Sequence, residues 1–213
     1  MSPRPLPAHL ALRPGEAPRS APAAGIPTGF ADLDARLPGG GWPVGALTEV
    51  LSSAPGVGEV GLILPALAAL GRQGRWLAWV DPPHVPYAPA LTAAGVDPAR
   101  IITVHPDGDA GAGRRTDMLW AAEQALRSGA AGAVLLWPRE PEDRTLRRLQ
   151  LAAEQGRSWG VLFRPPGDAR KPSPAALRLA VSPAGEGGLS VRVLKCRNGG
   201  SIPLAPPLTL RLP

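Results

Sequence analysis

The chain has 213 residues, 44% of them hydrophobic, with a formal net charge of +6; that is enough for one domain with a sizeable core and too apolar for a disordered chain. A lone cysteine, Cys196, excludes an internal disulfide and points to a reducing cytoplasm. No apolar run reaches the ~18 residues of a membrane span, no signal peptide is expected, and His9, His84 and His105 lack metal-ligand spacing, so neither metal nor membrane is expected.

In chain order, Met1 to Ala24 is rich in proline and lacks apolar periodicity, which predicts a flexible arm over residues 1–24. Within it, Pro7 to Glu16 reads as either plain linker or a partner-docking segment. Thr28 is placed to cap a short helix over Phe30 to Leu37, ended by Pro38 and three glycines. Leu47 to Leu51 predicts a strand. Leu62, Leu67 and Leu70 predict a buried helix in which Pro65 forces a kink or a late start. Arg75 to Asp81 and Arg100 to Pro106 predict two more strands. "TDMLWAAEQALRSGA" predicts a helix capped by Thr116 and stopped at Gly129. A strand follows over Ala131 to Pro138, then a helix with Leu146, Leu149 and Ala153 inward and Arg144, Arg147 and Arg148 outward. "WGVLFRP" predicts a further strand, and the alternating C-terminal stretch predicts antiparallel β-structure. Short apolar strands alternating with helices argue for an α/β fold. Its mostly parallel, twisted sheet is flanked by helices on both faces, in one domain over residues 25–213.

"SSAPGVGEVG" (Ser52 to Gly61) occupies the place of a phosphate-binding P-loop between strand and helix. The pattern G-x-x-x-x-G-K-[ST] requires a lysine and a hydroxyl after its last glycine. Glu59 and Val60 stand there instead. A carboxylate ~4 Å from a phosphate charge costs on the order of 4 kcal/mol at an effective dielectric near 20. Gly56 and Gly58 read either as a tight turn alone or as a remnant of the loop.

The order and spacing of "IPTGFADLD", "GGGWPVGALTEVL", "WLAWVDPPHVPYAPALTAAGVDPARIITVHP" and "ALRSGAAGAVLLW" resemble the RecA core over Gly25 to Leu194. The resemblance implies a RecA-like core with a degenerate P-loop. It puts Glu59 at the Walker A lysine, Val60 at the metal-binding hydroxyl, Pro83 at the catalytic glutamate and Trp137 at the Walker B aspartate. It therefore implies no enzyme and no cofactor, with the Trp137 ring in nucleotide space. "LPGGGWPVGALTEVL" and "VRVLKCRNG" resemble the ImuA family. That implies a non-catalytic adaptor in SOS-induced translesion DNA synthesis and mutagenesis, with ImuB, RecA and an error-prone replicative-type DNA polymerase as partners. "LLWPREPEDRTLRRLQLAAEQGRSWGVLFRP" resembles both ImuA and SulA, the family of cell-division inhibitors that block FtsZ polymerisation. Chain length and the C-terminal portion favour ImuA, with a SulA-like binder of FtsZ as the alternative.

The basic excess lies wholly in residues 139–213, which reads as a solvated face or as a surface for DNA or an acidic partner. By the RecA resemblance, Arg164, Arg170 and Lys171 fall where a DNA-binding loop would be, in a segment that also reads as a plain solvated loop; weak phosphate contact is the most it implies. Arg144, Arg147 and Arg148 pair along their own helix with Glu140, Glu142 or Asp143, or face a partner. Lys195 and Arg197 lie on a strand that reads as a charge-protected edge or, by the resemblance, as a subunit or RecA contact.

Overall fold

The computed structural model describes residues 24–54, 56–106, 111–185, 187–197 and 206–212. The arm expected over 1–24 lies outside these residues except for Ala24. A single helical turn, α1 (Ala31–Asp34), precedes β1 (Leu47–Ser52), α2 (Leu64–Arg72), β2 (Trp76–Val80), α3 (Ala88–Ala93) and β3 (Ile101–Val104). Then come α4 (Ala112–Arg127), β4 (Ala131–Leu136), α5 (Asp143–Gly156), β5 (Trp159–Arg164), β6 (Leu177–Ala184), β7 (Gly188–Cys196) and β8 (Leu208–Arg211). The strands form one sheet in the order β3-β2-β4-β5-β1-β6-β7-β8. The first six are parallel, and β7 and β8 extend the sheet antiparallel. The expected mixed α/β architecture is therefore present.

Alternation along the strands divides the core between two faces. On β2, Leu77 and Trp79 pack with Leu62, Leu67 and Leu70 of the α2 side. Ala78 and Val80 pack with Met118 and Leu126 of α4 and Leu146 and Leu149 of α5. Every residue of β4 and of β5 is buried, as expected for parallel strands covered on both sides.

Two local expectations need revision. Thr28 is not a helix cap: its Oγ1 accepts from the Phe30 N–H at 3.0 Å, a side-chain turn, and the helix reduces to Ala31–Asp34. Asp34 bonds back to the Thr28 N–H at 2.9 Å, tying that turn to the helix end. The helix expected from Thr116 begins at Ala112, so Thr116 lies inside it, and Arg114 in the added turn is held by the Asp81 carboxylate. Of the two outcomes foreseen at Pro65, the structure takes the late start: α2 begins at Leu64, where the missing proline N–H costs no helical bond.

Candidate functional site

The turn from β1 into α2 is closed by the chain's own groups. Gly56 and Gly58 take φ of +83° and +103°, backbone that side chains rarely adopt. The Gly56 N–H donates to Glu59 Oε1 at 2.8 Å. Glu59 is buried, and its Oε2 has no hydrogen-bond partner. A carboxylate thus sits on a backbone amide of the kind that a P-loop offers to phosphate. From below, Leu212 closes against the turn: a Cβ built on Gly58 would lie 2.6 Å from its Cδ1. Val60 packs against the apolar core.

Beyond the end of β4, Trp137 stacks on Phe163 with ring centroids 4.7 Å apart and meets Trp79 at 5.8 Å. The three rings come from β2, β5 and the residue following β4, and they make this end of the sheet apolar. Pro83 is exposed in the loop after β2. The structure therefore gathers Gly56, Gly58 and Glu59 into one turn. It places Trp137 in an aromatic cluster and leaves Pro83 on the surface.

A cluster that the motifs did not flag joins the middle of β1 to the end of β5 and the start of β6. Glu49, on β1, is fully buried. Its Oε1 accepts from Arg164 Nη1 at 2.7 Å and from Ser173 Oγ at 2.6 Å, and its Oε2 accepts from Arg178 Nε at 2.7 Å. Arg164 Nη2 also approaches Asp168 Oδ2 at 2.8 Å, an ion pair outside hydrogen-bond geometry. Asp168 Oδ1 meets Lys171 Nζ at 2.7 Å. Arg178 donates to the carbonyls of Asp168 and Lys171 at 2.7 and 3.0 Å. Burial pushes the Asp168 carboxyl up, but Lys171 and Arg164 outweigh it and hold it below the usual carboxylate range. The signal was in the sequence: a lone glutamate in the apolar strand "LTEVL", and arginines in "VLFR" and "LRLAV", are charges that burial obliges to pair.

This cluster changes the meaning of the basic residues. Arg164 has a side chain only 2% exposed and is turned inward, so it has no free guanidinium for a phosphate. Lys171 is exposed but paired with Asp168, and Arg170 is exposed. Arg148 does not pair along α5; it reaches the buried Glu123 of α4, which also takes Arg127 at 2.6 Å. Arg144 approaches Glu142 at 3.3 Å with both side chains in solvent, and Arg147 is exposed. Lys195 donates to the Ser173 carbonyl at 2.6 Å. Burial, with Arg197 and Arg178 nearby, lowers its pKa. Arg197 donates to the Pro174 carbonyl at 3.0 Å.

The loop after β2 is braced and outward-facing. Asp81 takes φ +50° and is held by Arg114, Pro82 is buried, and Val85 and Tyr87 are 83% and 71% exposed. Among the described residues no group of three potential metal ligands occurs, and no helix is long and apolar enough to cross a membrane.

Comparison with known proteins identifies the family. The family model "Cell division inhibitor SulA" matches residues 45–160. The cell division inhibitor SulA of Edwardsiella piscicida is 39% identical over 106 residues, 49% of this chain and 58% of that protein's length. That of Pectobacterium carotovorum is 30% identical over 125 residues, 57% of this chain and 69% of the relative. The crystal structure of SulA from Pseudomonas aeruginosa aligns over 55% of this chain and 96% of its own, at 25% identity and a TM-score of 0.44. The matches overturn the ImuA reading. With it go the roles in translesion synthesis and mutagenesis, and ImuB, RecA, the error-prone polymerase and DNA as expected partners. Because the matched model takes in more than half of the sequence, the chain belongs to the SulA family of cell division inhibitors.

Proposed function

We propose that this chain is a non-enzymatic inhibitor of cell division, made in the SOS response and acting in the cytoplasm by binding FtsZ and blocking its polymerisation. The observation that carries the proposal is family membership. The chemistry of the β1–α2 turn supports the non-enzymatic part. Its Gly56 amide is taken by Glu59, and no lysine or hydroxyl stands where a nucleotide would need them. The strand order, with β1 inside a parallel sheet and a glycine turn leading into α2, supports a RecA-like core whose nucleotide chemistry has been replaced by apolar packing. Inhibition of this kind is stoichiometric occlusion, which requires a rigid apolar surface rather than a reacting group. The proline-stiffened loop bearing Val85 and Tyr87 offers one, because its order is set before binding and little entropy remains to be lost.

The test is GTP-dependent polymerisation of FtsZ from the same bacterium, followed by pelleting and by GTPase rate as the purified chain is added. Polymer and GTPase should fall together and reach their minimum near equimolar inhibitor. Calorimetry with ATP and magnesium should show no binding heat. Undiminished polymer at tenfold excess of the chain refutes the FtsZ reading; tight ATP binding refutes the non-enzymatic one.

A further inference from the structure

The loop after β2 is fastened at its two ends and free between them. Pro83, His84, Val85 and Tyr87 are exposed, and so are Ala88, Pro89 and Ala90 at the start of α3. Leu91 closes the far end by packing into the core, and Pro82 is buried at the near end. Among the described residues, no backbone hydrogen bond fastens 82–86. Pro83 and Pro86 stiffen the loop from within, since each fixes its own φ. A stiff segment without bonds along its length takes its direction from its anchors.

The near anchor is Asp81. Its N–H donates to the Val104 carbonyl at 2.8 Å, continuing the ladder between β2 and β3. Its φ of +50° then turns the chain sharply out of the strand. Glycine takes such an angle readily, and aspartate and asparagine tolerate it better than other residues. The Arg114 guanidinium holds this turn. Its Nη2 pairs with Asp81 Oδ1, and its Nε donates to Asp81 Oδ2 at 3.4 Å. Its Nη1 donates to the Pro106 carbonyl at 2.7 Å. One planar fork thus ties the end of β2 to the segment after β3 and to the first turn of α4. The Arg114 and Asp81 side chains are 28% and 23% exposed, so water screens the pair only in part. Loss of the pair leaves Pro82 and Leu91 seated. The fold is then kept, and the direction of the loop is released.

We propose that Asp81 and Arg114 are positioning residues, whose pair holds the loop in the direction from which Val85 and Tyr87 meet FtsZ. The inference rests on the reading of the chain as an FtsZ binder. If the braced direction falls to about a fifth of the population, the dissociation constant rises about fivefold. The experiment compares the full chain with Asp81→Asn, Arg114→Met and the double variant. Asp81→Asn keeps the shape and the tolerance for positive φ and drops the charge. Equilibrium binding to immobilised FtsZ is the first measurement, because stoichiometric inhibition hides a modest change in affinity. Each single variant should bind about five times more weakly. The double variant should bind no more weakly than the singles, since the same pair is lost once. Urea midpoints should stay close to the parent's, as for other partly exposed pairs. Chymotrypsin cleavage after Tyr87, the single tyrosine, should quicken in all three variants. Parental affinity in both single variants overturns the positioning role, and unchanged cleavage overturns the brace itself. Losses that add in the double variant overturn the pair as one unit. A urea midpoint that falls in proportion to binding shows that the residues hold the fold rather than the loop, and overturns the proposal too. If Arg114→Met does not fold, Asp81→Asn decides alone. A parent that does not bind FtsZ refutes the FtsZ reading and the positioning role with it, while quickened cleavage would still establish the brace.

Discussion

Replacing Glu49 by glutamine removes one charge from the centre of the sheet and almost no volume. Two guanidiniums, Arg164 and Arg178, then lose their common carboxylate while their side chains remain 2% and 7% exposed. Arg164 keeps Asp168 as a counter-ion at 2.8 Å, and Arg178 keeps its bonds to the carbonyls of Asp168 and Lys171. Arg178 is therefore the more exposed to loss, having among the described residues no other carboxylate within ion-pair distance. Breaking a buried pair by removing one partner costs about 3–5 kcal/mol. The remaining contacts place this case near the lower figure, ~3 kcal/mol. A domain of this size is stable by about 5–15 kcal/mol, so such a loss is a large fraction of the whole. Urea unfolding at pH 7 measures it as a fall in the midpoint at unchanged slope. Glu49→Gln/Arg178→Met should be less destabilised than the sum of its single changes, because the second substitution removes the orphaned charge left by the first. A single-variant loss under about 1 kcal/mol would refute the argument, since it would mean that water reaches these arginines and that they are not buried charges in any energetic sense.

The same cluster should respond to acid. Asp168 titrates below its ordinary range in the folded chain, so between that lowered value and the unfolded value, about 3.9, the unfolded chain binds more protons. Its stabilisation is present above the unfolded value and is lost as pH falls through the folded one. Urea midpoints taken from neutral pH downwards should therefore drop more steeply for the parent than for Asp168→Asn; parallel curves would dismiss the contribution. At the β1–α2 turn, Gly58→Ala meets both a φ of +103° and the Leu212 methyl. A loss of about 2 kcal/mol is expected in thermal or urea unfolding, of which Leu212→Ala should recover only the steric share. Full recovery would show that the backbone angle is not a constraint.

Much of the fold was legible because burial writes itself into composition. The runs that became β2 and β4 are apolar throughout, and those that became β1 and β5 are apolar but for Thr48, Glu49, Ser52 and Arg164, the near-continuous pattern of strands covered on both faces. What escaped were pairings between residues far apart in sequence. Glu49 and Arg178 are joined because β1 and β6 are neighbours, with these two residues directly in register. No local pattern says that a glutamate in one strand will meet an arginine so much later. Arg164 therefore looked like a loop cation when it is a core ion. The start of α4 was misplaced for a related reason: Arg114 is held by Asp81 of a distant loop, and that contact extends the helix beyond the apparent cap at Thr116.

The mistaken family came from giving weight to chain length, to the C-terminal portion and to a lead-in in which glycine is required by the fold itself. Ile26 and Trp42 form a two-way backbone bridge, with N–H···O distances of 2.9 and 2.7 Å, that pins the entering chain to the segment before β1. Trp42 in turn stacks on Trp159 at 5.1 Å and closes the base of the core. At this crossing the two backbones nearly touch. A Cβ on Gly25 would lie 2.7 Å from the carbonyl carbon of Gly41, and a Cβ on Gly41 would run into the Ile26 carbonyl. Gly41 of the "GGGW" lead-in is thus a steric condition on any chain that enters this sheet in this way, whatever it later binds. The lead-in begins before the matched region, and the C-terminal "VRVLKCRNG" lies beyond it. The stretch that resembled both families, Leu135 to Pro165, lies mostly within the match. Residues that discriminate function have to be those the backbone leaves free to vary. The loop after β2 leaves such side chains exposed, Val85 and Tyr87 among them, whereas the glycines that let two main chains cross are fixed by packing.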